Sequence, residues 1–133
     1  MRKKAREAVY KLIFEYLFLK ESETEQFVSV LESKDFSDTD KQYIREVLEG
    51  VTKNFDLLIK IIESTNSTFN VSRMFKSDLA VLLLAVYEIE FMRDIPPLVS
   101  INEAIELSKI YGTEKSPSFI NGVLAAVKNK KEQ

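Results

Sequence analysis

The residues able to do chemistry in this 133-residue chain fall into an acidic set and a basic set. Glu88 and Glu90 stand two apart, and Glu103 and Glu106 three apart. Paired carboxylates at such spacings can share acid–base work. No nucleophile elbow, glycine-rich phosphate loop or metal-ligand spacing accompanies them. Cys and His are both absent, which removes disulfides, thiolate nucleophiles, imidazole bases and nearly every zinc site. The carboxylates therefore read as solvated helix surface. No catalytic residue, metal site or cofactor is expected, and the chain reads as a non-enzyme.

The basic set is more informative. Arg2, Lys3, Lys4 and Arg6 crowd one helix start, where they oppose the helix dipole. A phosphate partner would relieve that opposition. Lys115, Ser116 and Phe119 add a base, a hydroxyl at a helix start with free backbone N–H groups, and an aromatic ring. Helix starts bind phosphate, and an aromatic beside basic groups holds single-stranded RNA by stacking and phosphate contact. Taken singly, Phe119 reads as core.

The net charge of −2 conceals a division. Residues 1–11 carry five bases against one acid, residues 15–49 ten acids against four bases, and residues 109–133 five bases against two acids. Basic ends on an acidic body suit a polyanion partner; solubility alone is the plainer reading.

The elements that must position these residues are helices. Only three Gly and three Pro are present, few turns for a β-rich fold. Residues 3–19 place Ala5, Ala8, Val9, Leu12, Ile13 and Tyr16 on one face. Phe14 and Phe18 lie off that stripe, as a second buried contact or a partner-binding surface. Residues 21–34 form a second helix, with Ser22 and Glu25 as its capping box and Phe27, Val28, Val30 and Leu31 inward. Ser37 or Asp38 caps a long third helix with a stripe from Ile44 to Ile62. Gly50 lies inside it at a cost of roughly 1 kcal/mol relative to Ala, so a close neighbour is expected there.

Leu79 to Tyr87 is an unbroken apolar run, shorter than the roughly 20 residues a bilayer requires. With no strand to pair with, it reads as a buried central helix, and Asp78 as its exposed start. Arg93 to Pro97 stops it. Ser100 and Glu103 then form a capping box for the next helix, which Gly112 ends in a left-handed conformation. Ser116 caps the last helix, with Pro117 first inside it. Gly122 falls within that helix, where a close backbone or ligand is expected. Short joints between successive helices give a bundle. No secretory or membrane segment is visible, so a cytoplasmic protein is expected.

The stretch DIPPLVSINEAIELSKIYGTEKSPSFINGVL, Asp94 to Leu124, closely resembles the signature of the NusB family of bacterial antitermination factors. LAVLLLAVYEI, from Leu79, is similar to that family's core helix, and Arg-Lys-Lys-Ala-Arg to its arginine-rich start. The resemblance covers essentially the whole chain. It implies an all-α fold of about seven helices in one domain over 1–133, with sub-bundles at about 1–66 and 67–133. It implies binding of boxA RNA from ribosomal RNA transcripts, together with NusE, a small-subunit ribosomal protein, in the antitermination complex on RNA polymerase. By position, Arg2, Lys3, Lys4 and Arg6, with Lys115, Ser116 and Phe119, match the RNA-binding surface. Asp78 and Phe14 match the face that meets NusE. Two of the four basic residues at the start are Lys where relatives often carry Arg, which weakens forked contacts. Lys115 stands where relatives often carry Asp or Asn.

Two alternatives remain open. One is a homodimeric protein-interaction module that self-associates through the RNA surface. The other is a guide domain like that of ribosomal RNA cytosine methyltransferases. That enzyme needs a nucleophilic Cys and a Gly-rich cofactor loop, and the chain, without Cys and ending at Gln133, is not expected to be one.

Overall fold

Every residue from Asp78 to Ile89 is buried, so this segment is enclosed on all sides. It belongs to α5, Lys76–Phe91. The computed structural model describes residues 2–132, and among them the other α-helices are α1 (Arg2–Leu19), α2 (Glu25–Glu32), α3 (Asp38–Lys53), α4 (Phe55–Glu63), α6 (Pro97–Tyr111) and α7 (Ser116–Lys131). A single 3-10 turn, Val71–Arg73, precedes α5. The fold is all-α, as expected. Helix α5 packs against α1, α3, α4, α6 and α7, and one apolar core draws buried residues from all seven helices. None of the described helices is long and apolar enough to cross a membrane.

Several local expectations are corrected. The cap of α2 is Thr24, not Ser22: its hydroxyl accepts from the Phe27 N–H and donates to Glu15 on α1 at 2.6 Å. Val28 of that helix is exposed rather than inward. Ser37 does cap α3. The long third helix is two helices, because Asn54 (φ −105°, ψ 22°) leaves helical geometry. Its backbone and side-chain N–H groups both bond the Gly50 carbonyl, at 2.9 and 2.8 Å. The apolar stripe runs on across the break, so periodicity alone conceals it.

Ser100 is not a cap. Helix α6 starts at Pro97, which lacks an N–H in any case, and Ser100 is buried inside it. Gly112 is extended (φ −98°), not left-handed. It is required for space instead: a Cβ there would lie 2.8 Å from the Ser108 carbonyl and 2.6 Å from the Ser116 Cβ. Among the described residues, nothing beyond its own helix turn comes within 4 Å of a Cβ built at Gly122, which is exposed. Phe18, open between a second buried contact and a partner-binding surface, is 57% exposed.

Candidate nucleic-acid interface

Helix α1 presents its first turn to solvent on one side only. Lys3 and Lys4 are exposed. Arg2 is half-buried, its guanidinium 4.2 Å above the Tyr43 ring and its Nε 3.8 Å from Asp40. Arg6 is different. It lies three and seven residues before Val9 and Ile13, on the stripe that enters the core, and is only 6% exposed. The four basic residues expected to act together are thus two exposed ammonium groups, one flanking guanidinium and one interior guanidinium.

Arg6 meets Glu88 of α5. Its Nε donates to Glu88 Oε2 at 2.9 Å and its Nη2 to Oε1 at 3.3 Å. Glu88 also accepts from the Ser100 hydroxyl of α6 at 2.7 Å and from the Tyr43 hydroxyl of α3. The carboxylate is 1% exposed, so its reading as solvated surface is corrected. Burial opposes the charge on Arg6, but the bond and charge of Glu88 outweigh it and hold the guanidinium pKa above its ordinary value. Burial, then the Glu88 charge and bond, pushes the Tyr43 phenol up. Glu103, half-buried, lies 4.0 Å from Arg6 Nη1. The sequence did carry a signal for this network: an acid directly after a buried apolar run needs a buried cation, and Arg6 is the cation on a core stripe.

A second tie joins α1 to α6 at the far end of α6. The Tyr111 hydroxyl donates to Glu7 at 2.8 Å, and the Tyr111 ring packs 4.8 Å from Tyr10. Helix α6 then turns at Gly112 into the loop that carries Lys115. Lys115 is exposed. Ser116, expected at the surface, is 1% exposed, and its hydroxyl oxygen accepts the Thr113 N–H at 2.9 Å. It shapes the loop rather than facing a ligand. Phe119 is half-buried, edge-on to Phe69 at 5.6 Å.

Lys115, Ser116, Phe119, Phe69, Arg73 and Asp78 line one groove of about 440 Å³. Asp78 is not exposed as expected; it is buried, and its Oδ1 has no hydrogen-bond partner. Phe14 lies in a different contact, a row of aromatics along α1. Its ring is 6.3 Å from Tyr10 and 5.1 Å from Phe18, which in turn carries the Lys76 ammonium of α5 at 5.4 Å. Phe18 and Phe75 leave this end of α1 and α5 apolar and open. No group of three acidic side chains among the described residues could hold a metal ion.

Residues 3–129 match the model of the NusB family. The chain is 44% identical over 126 residues to the transcription antitermination protein NusB of Acetivibrio thermocellus, covering 95% of this chain and 87% of that one. Among solved structures it is similar to NusB of T. maritima, with a TM-score of 0.89 and 32% identity over 98% of this chain and 92% of that one. It is also similar to a chain in the crystal structure of the antitermination factors NusB and NusE in complex with dsRNA, with a TM-score of 0.83 and 26% identity over 97% and 96% of the two chains.

Proposed function

The chain belongs to the NusB family, and from that premise we propose that it is an RNA-binding transcription antitermination factor. It binds boxA-type single-stranded RNA of ribosomal RNA transcripts together with NusE and joins the antitermination complex on RNA polymerase. The observation that carries the reading is the start of α1, where Lys3 and Lys4 are exposed beside Arg2 at the positive end of an 18-residue helix. Cations so placed favour an anionic partner, because phosphate relieves their opposition to the dipole.

Lys115 and the half-buried Phe119 supply a second point of contact. Lys115 adds charge and the Phe119 ring adds a surface for stacking. Arg6 and Ser116 serve this surface from within, since both are buried. For NusE, the apolar end formed by Phe14, Phe18 and Phe75 is the larger contact; Asp78, buried in the lining of the neighbouring groove, contributes from within rather than as an exposed group.

The test is a pull-down of the complex with NusE on boxA RNA against a scrambled RNA. The reading expects retention on boxA RNA that weakens as salt rises. Equal retention on both RNAs, or a chain that light scattering finds as a dimer unaltered by RNA and NusE, would favour the interaction-module alternative.

A further inference from the structure

We infer that Glu88 is a positioning residue for RNA binding: buried, it fixes the basic start of α1 relative to the α6–α7 half of the interface. Arg6 then serves RNA through Glu88 and touches no phosphate. The inference rests on the RNA-binding reading above and assigns a role to a carboxylate remote from solvent.

Bonding capacity is the first argument. A carboxylate has about four acceptor positions. Glu88 fills them with two Arg6 N–H groups, the Tyr43 hydroxyl and the Ser100 hydroxyl. These donors come from α1, α3 and α6, and Glu88 itself from α5. For Arg6 to reach a phosphate it would have to leave a carboxylate that is 1% exposed. That would strand a buried charge, one of the costlier changes a core can undergo.

The second argument is what such a pair contributes. Buried ion pairs add little stability over well-packed apolar groups of the same size; their better-attested use is to select one arrangement of the elements around them. Here the arrangement has a direct bearing on the surface. Arg6 lies one turn from Arg2 and Lys3 on α1. Ser100 lies in the first turns of α6, and Tyr111 at the other end of α6 is tied to Glu7. Helix α1 is therefore held to α6 at two points, and α6 ends one residue before Gly112 and four before Lys115. The Glu88 bonds thus set where Lys3 and Lys4 stand relative to Lys115 and Phe119. A strand of RNA that contacts both patches reads that spacing.

The experiment measures affinity of the full chain for a labelled boxA-type RNA across a salt series. Lys3→Gln and Lys4→Gln should each lower the slope of log affinity against log salt by about 0.7, the loss of one phosphate contact on a single strand. Arg6→Met with Glu88→Met replaces the ion pair by apolar groups but leaves the buried Tyr43 and Ser100 hydroxyls without their acceptor, so it should fold with a lowered melting temperature. It should still bind RNA about tenfold more weakly, a size typical of coupling within one bonded network, with the salt slope unchanged. Ser100→Ala leaves the ion pair in place and provides a milder variant. It should weaken binding a few-fold, and Ser100→Thr, which keeps the hydroxyl, should restore it. Unchanged affinity in the folded double variant overturns the inference, as does a salt slope in that variant that drops as it does for Lys3→Gln. If the double variant does not fold, unchanged binding by Ser100→Ala overturns it. Affinity that ignores Lys3→Gln and Lys4→Gln removes the RNA reading itself, and this inference with it.

Discussion

Tyr87 of α5 occupies the space in which any other residue at position 50 would carry its Cβ. A Cβ built on Gly50 overlaps the Tyr87 ring at Cε1, Cζ and the hydroxyl. The ring is held there by stacking on Phe91, 5.1 Å away, and is 7% exposed. A mid-helix glycine that costs α3 propensity thus lets α3 and α5 approach across a tyrosine.

Gly50→Ala should therefore destabilise the chain. The better helix former would contribute about 1 kcal/mol in isolation, but overpacking a core costs typically 1–3 kcal/mol. Net loss in a urea melt is expected, and Gly50→Ala combined with Tyr87→Ala should regain part of it. Equal midpoints for Gly50→Ala and the unaltered chain would show that the ring moves aside freely.

Leu83, fully buried in α5, has no route to a ligand. Leu83→Ala should cost about 2–5 kcal/mol of stability by leaving a cavity. In the fraction that remains folded, RNA affinity should be unchanged. A loss of affinity at full occupancy of the fold would mean that the core of α5 communicates with the interface more directly than its packing implies.

The helices were legible because the apolar stripes of α1, α3 and α7 have helical spacing, and because α5 could be covered only by other helices. Boundaries were less so. Asn54 breaks a helix without breaking its stripe, and Ser22 and Ser100 have capping-box spacing where other contacts decide. At the candidate site, residue types were visible, but depth was hidden. Arg6 and Lys4 look alike in a basic run, and what separates them is that only Arg6 falls on the stripe facing α5. Glu88 looked like surface because its three partners lie 12, 45 and 82 residues away, and no local pattern encodes such pairings.

Asp78 should trade stability against partner binding. At the start of α5 its charge suits the helix dipole by about 0.3–1 kcal/mol. An unsatisfied buried acceptor costs about 1–3 kcal/mol, and its Oδ1 has no partner. Asp78→Ala should thus leave the melting temperature level or raised, and should weaken NusE binding. A clear drop in melting temperature for Asp78→Ala would mean that the carboxylate is stabilising as it stands.

Alkaline pH should loosen the contact between α1 and α6. Burial first, then the Glu7 bond, pushes the Tyr111 phenol up to about 12; burial, then Tyr111 and Asp78, does the same for Tyr10. The ordinary value is 10.0. The folded chain therefore holds these protons more tightly than the unfolded one, and stability rises where the unfolded state binds more protons. Here it binds fewer, so the contribution is complete below pH 10 and is lost as pH climbs through about 12. The urea midpoint should fall across that window, and less steeply in Tyr111→Phe, which cannot ionise. A midpoint that stays flat across the window in the unaltered chain would contradict the shifts.

The interior position of Arg6 also decides how the basic start must be probed. Arg6→Glu puts a second carboxylate beside Glu88 in a place closed to water. Removing one partner of a buried pair already costs about 3–5 kcal/mol, and the new like charge adds to it. Loss of RNA binding in that variant would report unfolding. Lys3→Glu with Lys4→Glu changes two exposed side chains instead, where substitutions usually stay within about 0.5 kcal/mol each. This variant should melt like the unaltered chain and lose most of its RNA affinity. Its remaining binding should also depend less on salt, because two fewer counterions are released. Retained affinity in this well-folded variant would move the interface away from the start of α1.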